Sequence, residues 1–243
     1  MLRMGAILAR REREAGVKKT RIMIEAGAAP DLEARVAGFG DHDRESESQD
    51  GSAARDVAVV APPHPLMGGS LDNPVVEALA DGLAARGAAT LQFNWRGAGA
   101  SQGTASGDID DAVEDYRKAL AFALEATGSA NARCIAAGYS FGAVAAVKTA
   151  ADCAQVCSLV LVAPPLAMMA LPELCSARVP VDVIVGERDE YAPVDVVEGS
   201  LQTVRGARLE VVPDADHFFS SVAPDRLRAL VTEAAGRGRE QES

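Results

Sequence analysis

The sequence predicts an α/β protein: a three-layer sandwich whose mostly parallel central sheet carries helices on both faces. Three observations lead there. From residue 57 onward, short β-rich runs alternate with helical stretches, the pattern of right-handed βαβ units. Runs such as Val57–Ala61 are apolar at every position, as strands buried on both faces must be. Hydrophobic residues make up 48% of the 243 and aromatics only 4%, so the core is built from Ala, Val and Leu, which let helices lie close on a sheet.

Taken in order, residues 1–19 are expected to be a flexible N-terminal extension, 20–236 one domain and 237–243 a disordered tail. Arg21–Ala26 and Leu32–Ala37 read as strands joined by a Gly-Ala-Ala-Pro turn, forming an antiparallel edge. Residues 38–56 are polar, acidic and without periodicity, a solvated loop in which His42 is a surface residue. After strand Val57–Ala61, Asn73 caps a helix with Pro74 in its first turn, and Gly87 closes it. Ala89–Phe93 is the next strand. Asp108–Ala126 is a helix with Ile109, Val113, Tyr116, Leu120 and Leu124 on one stripe and three aspartates at its positive N-terminus. Strand Arg133–Ala137, helix Phe141–Ala151 and strands Ser158–Ala163 and Val181–Val185 follow, with a short helix near Met168–Cys175. Helix Val194–Val204, strand Ala207–Val212 and helix Pro224–Ala235 complete the domain.

The formal charge of −11 argues against nucleic acid or an anionic membrane surface as partner. No apolar run approaches the ~18 residues of a membrane span, and the apolar stretch near the start is too short for a secretory signal. A cytoplasmic protein is expected. Cys134, Cys153, Cys157 and Cys175 are expected to be reduced, mostly buried thiols, because the Cys153–Cys157 spacing fits no usual zinc pattern. No metal or cofactor is expected: Gly97-Ala98-Gly99 begins a dinucleotide fingerprint, but position 102 is Gln. A homodimer is admissible on symmetry base rates.

Gly138-Tyr139-Ser140-Phe141-Gly142 lies between a strand and a helix. On such a turn a serine is held in a strained backbone with Oγ above the sheet, and the helix N-terminus offers backbone N–H groups to an oxyanion. His217, in VVPDADHFF, is the one histidine that follows Ser140. Loops at the carboxyl ends of parallel strands gather on one edge, so the two share a crevice. Asp189 follows the Val181–Val185 strand and supplies the acid, with Glu187 as the alternative. Asp214 and Asp216 stand too close to His217 in sequence to orient its ring easily. Ser140, Asp189 and His217 then read as nucleophile, orienting acid and base.

Over residues 21–235 the chain resembles the α/β-hydrolase superfamily, and more narrowly a small group of bacterial lid-less members. These carry a His-Pro-His-Pro-Leu-Tyr-Gly-Gly segment, here Pro62-Pro63-His64-Pro65-Leu66-Met67-Gly68-Gly69. They also carry a Phe-Asn-Phe-Arg-Gly-Val-Gly-x-Ser-x-Gly segment, here Phe93 to Gly103 with Trp95 at the third position. The first family histidine is Pro62 here, and the tyrosine is Met67. The resemblance implies an α/β-hydrolase fold and an oxyanion hole made by the N–H of Phe141 and that of Leu66 or Met67. His64, Gly68 and Gly69 would support that loop. Only about 15 residues separate Pro165 from Val181, too few for a cap of several helices. An open site lined by Met67, Met168 and Met169 is expected, with core packing the alternative for the last two.

The function expected is a serine hydrolase cleaving esters through an acyl-enzyme, a carboxylesterase for short, small-molecule acyl substrates. A thioesterase, lactonase or peptidase would use the same triad, and a non-catalytic binding protein on the same fold is the alternative of a different class.

Overall fold

A computed structural model describes residues 11–14, 17–25, 29–39 and 56–237. Within them one sheet is built from β1 (Arg11–Glu14), β2 (Val17–Ile24), β3 (Leu32–Ala37), β4 (Val57–Ala61), β5 (Ala89–Phe93), β6 (Cys134–Tyr139), β7 (Val156–Val162), β8 (Val181–Gly186) and β9 (Arg208–Val212). The strand order is β1-β2-β3-β5-β4-β6-β7-β8-β9. The hairpin strands β1 to β3 run antiparallel, β3 pairs antiparallel with β5, and the remaining neighbours are parallel.

Among the described residues six α-helices accompany it: α1 (Pro74–Ala85), α2 (Ile109–Ala126), α3 (Phe141–Ala151), α4 (Pro172–Cys175), α5 (Val194–Leu201) and α6 (Pro224–Arg237). Alternation along β4 divides the core in two. Val57, Val59 and Ala61 face the layer of α2 and α3, while Ala58 and Val60 face that of α1 and α6. Both helix starts read from sequence are capped as their residues dictate. Asn73 Oδ1 accepts from the Val75 N–H at 2.9 Å, and Asp108 Oδ1 from the Asp110 N–H at 2.8 Å. Among the described residues no helix is long and apolar enough to cross a membrane.

The N-terminus departs from expectation. β2 begins at Val17 rather than Arg21, and Arg11–Glu14 forms a further strand against it, so the extension expected over 1–19 is strand over 11–14 and 17–19. The reason is electrostatic. β2 and β3 carry charges matched by partners elsewhere: Lys19 meets Asp81 at 2.9 Å, Arg21 meets Glu33 and Asp72, and Arg35 meets Asp72 and Glu77. Arg237 closes α6 rather than beginning a tail. Residues 1–10, His42 with most of the acidic loop, and 238–243 lie outside the described residues. The four thiols are free, but only Cys134 is buried; Cys153 and Cys157 are half-buried, and Cys175 is exposed at the end of α4.

Tyr116 on α2 ties the helix layer to the sheet. Fully buried, its hydroxyl donates to the Val59 carbonyl at 2.7 Å and accepts from the Ala137 N–H at 2.9 Å, bridging β4 and β6. Tyr116→Phe leaves the ring and strands both polar groups. Urea unfolding is expected to show a loss of about 1–3 kcal/mol with unchanged m-value; an unchanged midpoint would mean that the bridge contributes nothing.

Candidate functional site

The parallel strands end on one edge, and the loops after β4, β6, β7, β8 and β9 meet there. Backbone strain concentrates at the same edge. The non-glycine residues with positive φ among those described are Ser140 (53°), Ala163 (46°), Asp214 (59°) and Phe219 (53°), all in these loops. Ser140 sits between β6 and α3 with ψ −118°, its N–H donating to the Val162 carbonyl at 2.9 Å. The turn closes because its flanking glycines have no side chain. A Cβ on Gly138 would lie 2.3 Å from the Gly142 carbonyl carbon, and one on Gly142 would lie 2.5 Å from the Ala61 oxygen.

Ser140 Oγ is 2.9 Å from His217 Nε2. His217 Nδ1 is 2.8 and 2.9 Å from the two oxygens of Asp189, and both residues are buried. A carboxylate on Nδ1 selects the tautomer with the proton there, leaving Nε2 to accept from the serine hydroxyl. Asp189 is held in turn: its Oδ1 accepts from the N–H groups of Tyr191 and Ala192, each at 2.9 Å. Tyr139 donates its hydroxyl to the His217 carbonyl at 3.0 Å, and burial pushes that phenol well above its ordinary value, so it stays a donor.

The other carboxylates nearby have different work. Glu187 accepts from the Asp214 N–H at 2.9 Å, Asp214 pairs with Arg188, and Asp216 accepts from the Ser220 N–H at 3.1 Å. The loops after β8 and β9 are therefore stitched to each other, and only Asp189 faces the imidazole.

The loop after β4 departs from the expected arrangement of donors. Pro65–Met67 forms one 3-10 turn. The Leu66 N–H donates to His64 Nδ1 at 3.2 Å and the Met67 N–H to the His64 carbonyl at 3.0 Å, so neither is turned outward to an oxyanion. Gly68 and Gly69 donate to the Pro65 and His64 carbonyls and serve the loop as scaffold. The backbone N–H groups of His64 and Phe141, by contrast, donate to no described residue, and the two rings lie 4.7 Å apart. Pro65 carried the signal: a proline at the start of a tight turn makes His64 the cap, and the N–H groups after it are consumed by the turn. Burial lowers the His64 pKa, and Nδ1 accepts from Leu66, so the ring is neutral with its proton on Nε2.

The Phe93–Gly103 segment is scaffold. Glu33 accepts from Asn94 Nδ2 at 2.7 Å and from the Ala100 N–H at 2.8 Å. Burial alone would raise its carboxyl, but the Ala100 N–H, Arg21 and Asn94 together hold it below the ordinary range. Arg96 binds Asp111, Glu114 and Asp115 of α2. Trp95 is buried against Phe93 and Phe141 and donates its indole N–H to the Pro62 and Pro63 carbonyls at 3.2 and 2.9 Å. It clamps the loop that presents His64. Between β7 and β8, α4 is the one helix, and no cap covers the site. Met168 is 70% exposed, while Met169 is half-buried and packs on the core.

Residues 73–179 match the serine aminopeptidase S33 family, a span that holds Ser140 and ends before Asp189 and His217. An α/β serine hydrolase homologue from Coxiella burnetii is 28% identical, with 88% of this chain and 95% of that chain covered and a TM-score of 0.74. A serine hydrolase without a lid from Xanthomonas campestris is 25% identical, with 90% and 94% covered and a TM-score of 0.73. The chain has the α/β-hydrolase fold. An uncharacterised protein of Rickettsia prowazekii is 26% identical over 183 residues, covering 72% of this chain and 76% of that protein. Ser140 lies on the turn from β6 into α3, and the sheet has an antiparallel edge formed by β1, β2 and β3.

Trp95→Phe keeps an aromatic ring in the core and removes the indole N–H that forms the clamp. Amide exchange in a peptide spanning 64–69 is expected to quicken about tenfold, the equivalent of one lost hydrogen bond to a buried carbonyl, with α6 unchanged. Equal exchange would mean that the indole N–H does not hold the loop.

Proposed function

We propose that the chain is a serine hydrolase that cleaves carboxylic esters of short acyl groups through an acyl-enzyme on Ser140. The observation that carries this reading is the unbroken chain of hydrogen bonds from Ser140 Oγ through His217 to Asp189, with the elbow N–H of Phe141 unspent. His217 Nε2 takes the Ser140 proton as Oγ attacks the carbonyl carbon. Asp189 steadies the imidazolium. The negative oxygen that develops is met by the N–H of His64, from the loop after β4, and by that of Phe141 at the N-terminus of α3, where the helix dipole adds to it. His217 then returns the proton to the leaving alcohol, and water, activated by the same imidazole, releases the acid.

The open edge supports a short acyl group, since the segment between β7 and β8 contains no cap that could enclose a long chain. The likeness to serine hydrolases of Coxiella and Xanthomonas supports the reaction class.

Turnover of p-nitrophenyl acetate and butyrate tests the proposal. Ser140→Ala is expected to lower kcat about a thousandfold or more, and Asp189→Asn, which offers the wrong hydrogen-bonding partner to Nδ1, by a comparable factor. Circular dichroism should match the parent. A folded Ser140→Ala protein with parental turnover would overturn the proposal, and a folded parent without turnover would favour a binding protein on this fold.

A further inference from the structure

The walls of the imidazole on its exposed side are aromatic. The Tyr191 ring centroid lies 4.7 Å from that of His217 and the Phe218 centroid 5.4 Å, and the two aromatic rings are 6.5 Å apart. Neither is core: Tyr191 is 37% and Phe218 58% exposed. Both follow a triad member closely in sequence, and both sit in loops whose backbone is fixed, Tyr191 by its N–H on Asp189 and the segment after His217 by the Phe219 N–H on the Asp216 carbonyl. Folding alone gives no reason to hold two large aromatic rings half in water against a buried base.

The chemistry assigns a place to them. Acylation forms the bond from Ser140 Oγ to the acyl carbon and breaks that carbon's bond to the alkoxy oxygen. The serine proton travels by way of His217 Nε2 to that oxygen. The departing alcohol must therefore touch the imidazole, while the carbonyl oxygen lies towards Phe141 and His64. Whatever is attached to the alcohol oxygen meets the Tyr191 and Phe218 rings first.

Charge narrows the class further. The loops 187–193 and 213–223 carry Glu187, Asp189, Glu190, Asp214 and Asp216 against one guanidinium, Arg188, which is paired with Asp214. The loops 62–71 and 163–171 carry no charged residue. An anionic leaving group would enter against an unbalanced negative field, whereas an uncharged apolar one finds matching walls.

We infer that Tyr191 and Phe218 form the binding surface for the alcohol half of the ester, and that the substrates are esters of uncharged alcohols bearing an aromatic or bulky apolar group. This rests on the serine-hydrolase reading. It sets anionic thioesters such as acyl-coenzyme A apart from the substrates, because their leaving group carries phosphates.

The test compares butyrate esters with alike ester carbons, so that intrinsic reactivity is matched: propyl, 3-phenylpropyl and 3-(4-carboxyphenyl)propyl. The phenylpropyl ester is expected to exceed the propyl ester about tenfold in kcat/KM, and the carboxylated ester to fall back by about the same factor, with the fall shrinking at high salt. Phe218→Ser and Tyr191→Ser should each bring the ratio of kcat/KM for the phenylpropyl and propyl esters down towards one, whatever happens to either rate alone. Equal rates for propyl and phenylpropyl esters, a preference that survives both substitutions, or an unpenalised carboxylate would overturn the inference. If turnover is Ser140-dependent but indifferent to the alcohol, only this inference falls. If no ester is turned over through Ser140, the hydrolase reading falls with it.

Discussion

The arrangement depends on one backbone constraint, the positive φ of Ser140 at the crossing from β6 into α3. A non-glycine residue there is strained by about 1–3 kcal/mol, and the strain persists only because both sides of the turn over-determine it. The Ser140 N–H is fixed on Val162, and α3 presses so close on β4 and β6 that no Cβ fits at Gly138 or Gly142. That contact brings the Pro62–His64 backbone beside the elbow. It also leaves the Phe141 N–H, at the start of α3, without an acceptor among the described residues. A relaxed turn would displace both Ser140 Oγ from His217 Nε2 and the Phe141 N–H beside it.

Around the elbow, position is set mainly by main-chain hydrogen bonds. Asp189 is oriented by two N–H groups, His217 by a tyrosine on its carbonyl, and the loop of His64 by an indole on the carbonyls of two prolines. Prolines cannot donate, so a loop written Pro-Pro-His-Pro has carbonyls to offer and few N–H groups to spend. Trp95 is the donor that matches it. The Glu33–Asn94–Ser101 cluster carries the same logic outward and anchors the Trp95 segment to β3.

What could be read from sequence follows from how local each cause is. The strand Val57–Ala61 is legible because burial on both faces leaves no polar position in it, and Asn73 and Asp108 announce their helices by capping them. The early start of β2 is not legible, since Lys19 is matched by Asp81, far along the chain. For the site, Ser140, Asp189 and His217 can be picked out by type, order and place after strands. Leu66 and Met67 illustrate the limit: which N–H of a loop is unspent depends on the hydrogen bonds of the turn itself. Tyr191 and Phe218 carry no pattern, and only the ring distances to His217 bring them forward.

The central claim is that Ser140 is activated by His217 within a prebuilt elbow. Its most direct test is covalent: incubation of the folded chain with diisopropyl fluorophosphate, followed by intact mass measurement and peptide mapping. The account predicts a single phosphoryl adduct per chain, on Ser140, and a strongly slowed reaction in the His217→Ala protein. No adduct on the folded parent, an adduct on another residue, or labelling that is indifferent to His217 would contradict it.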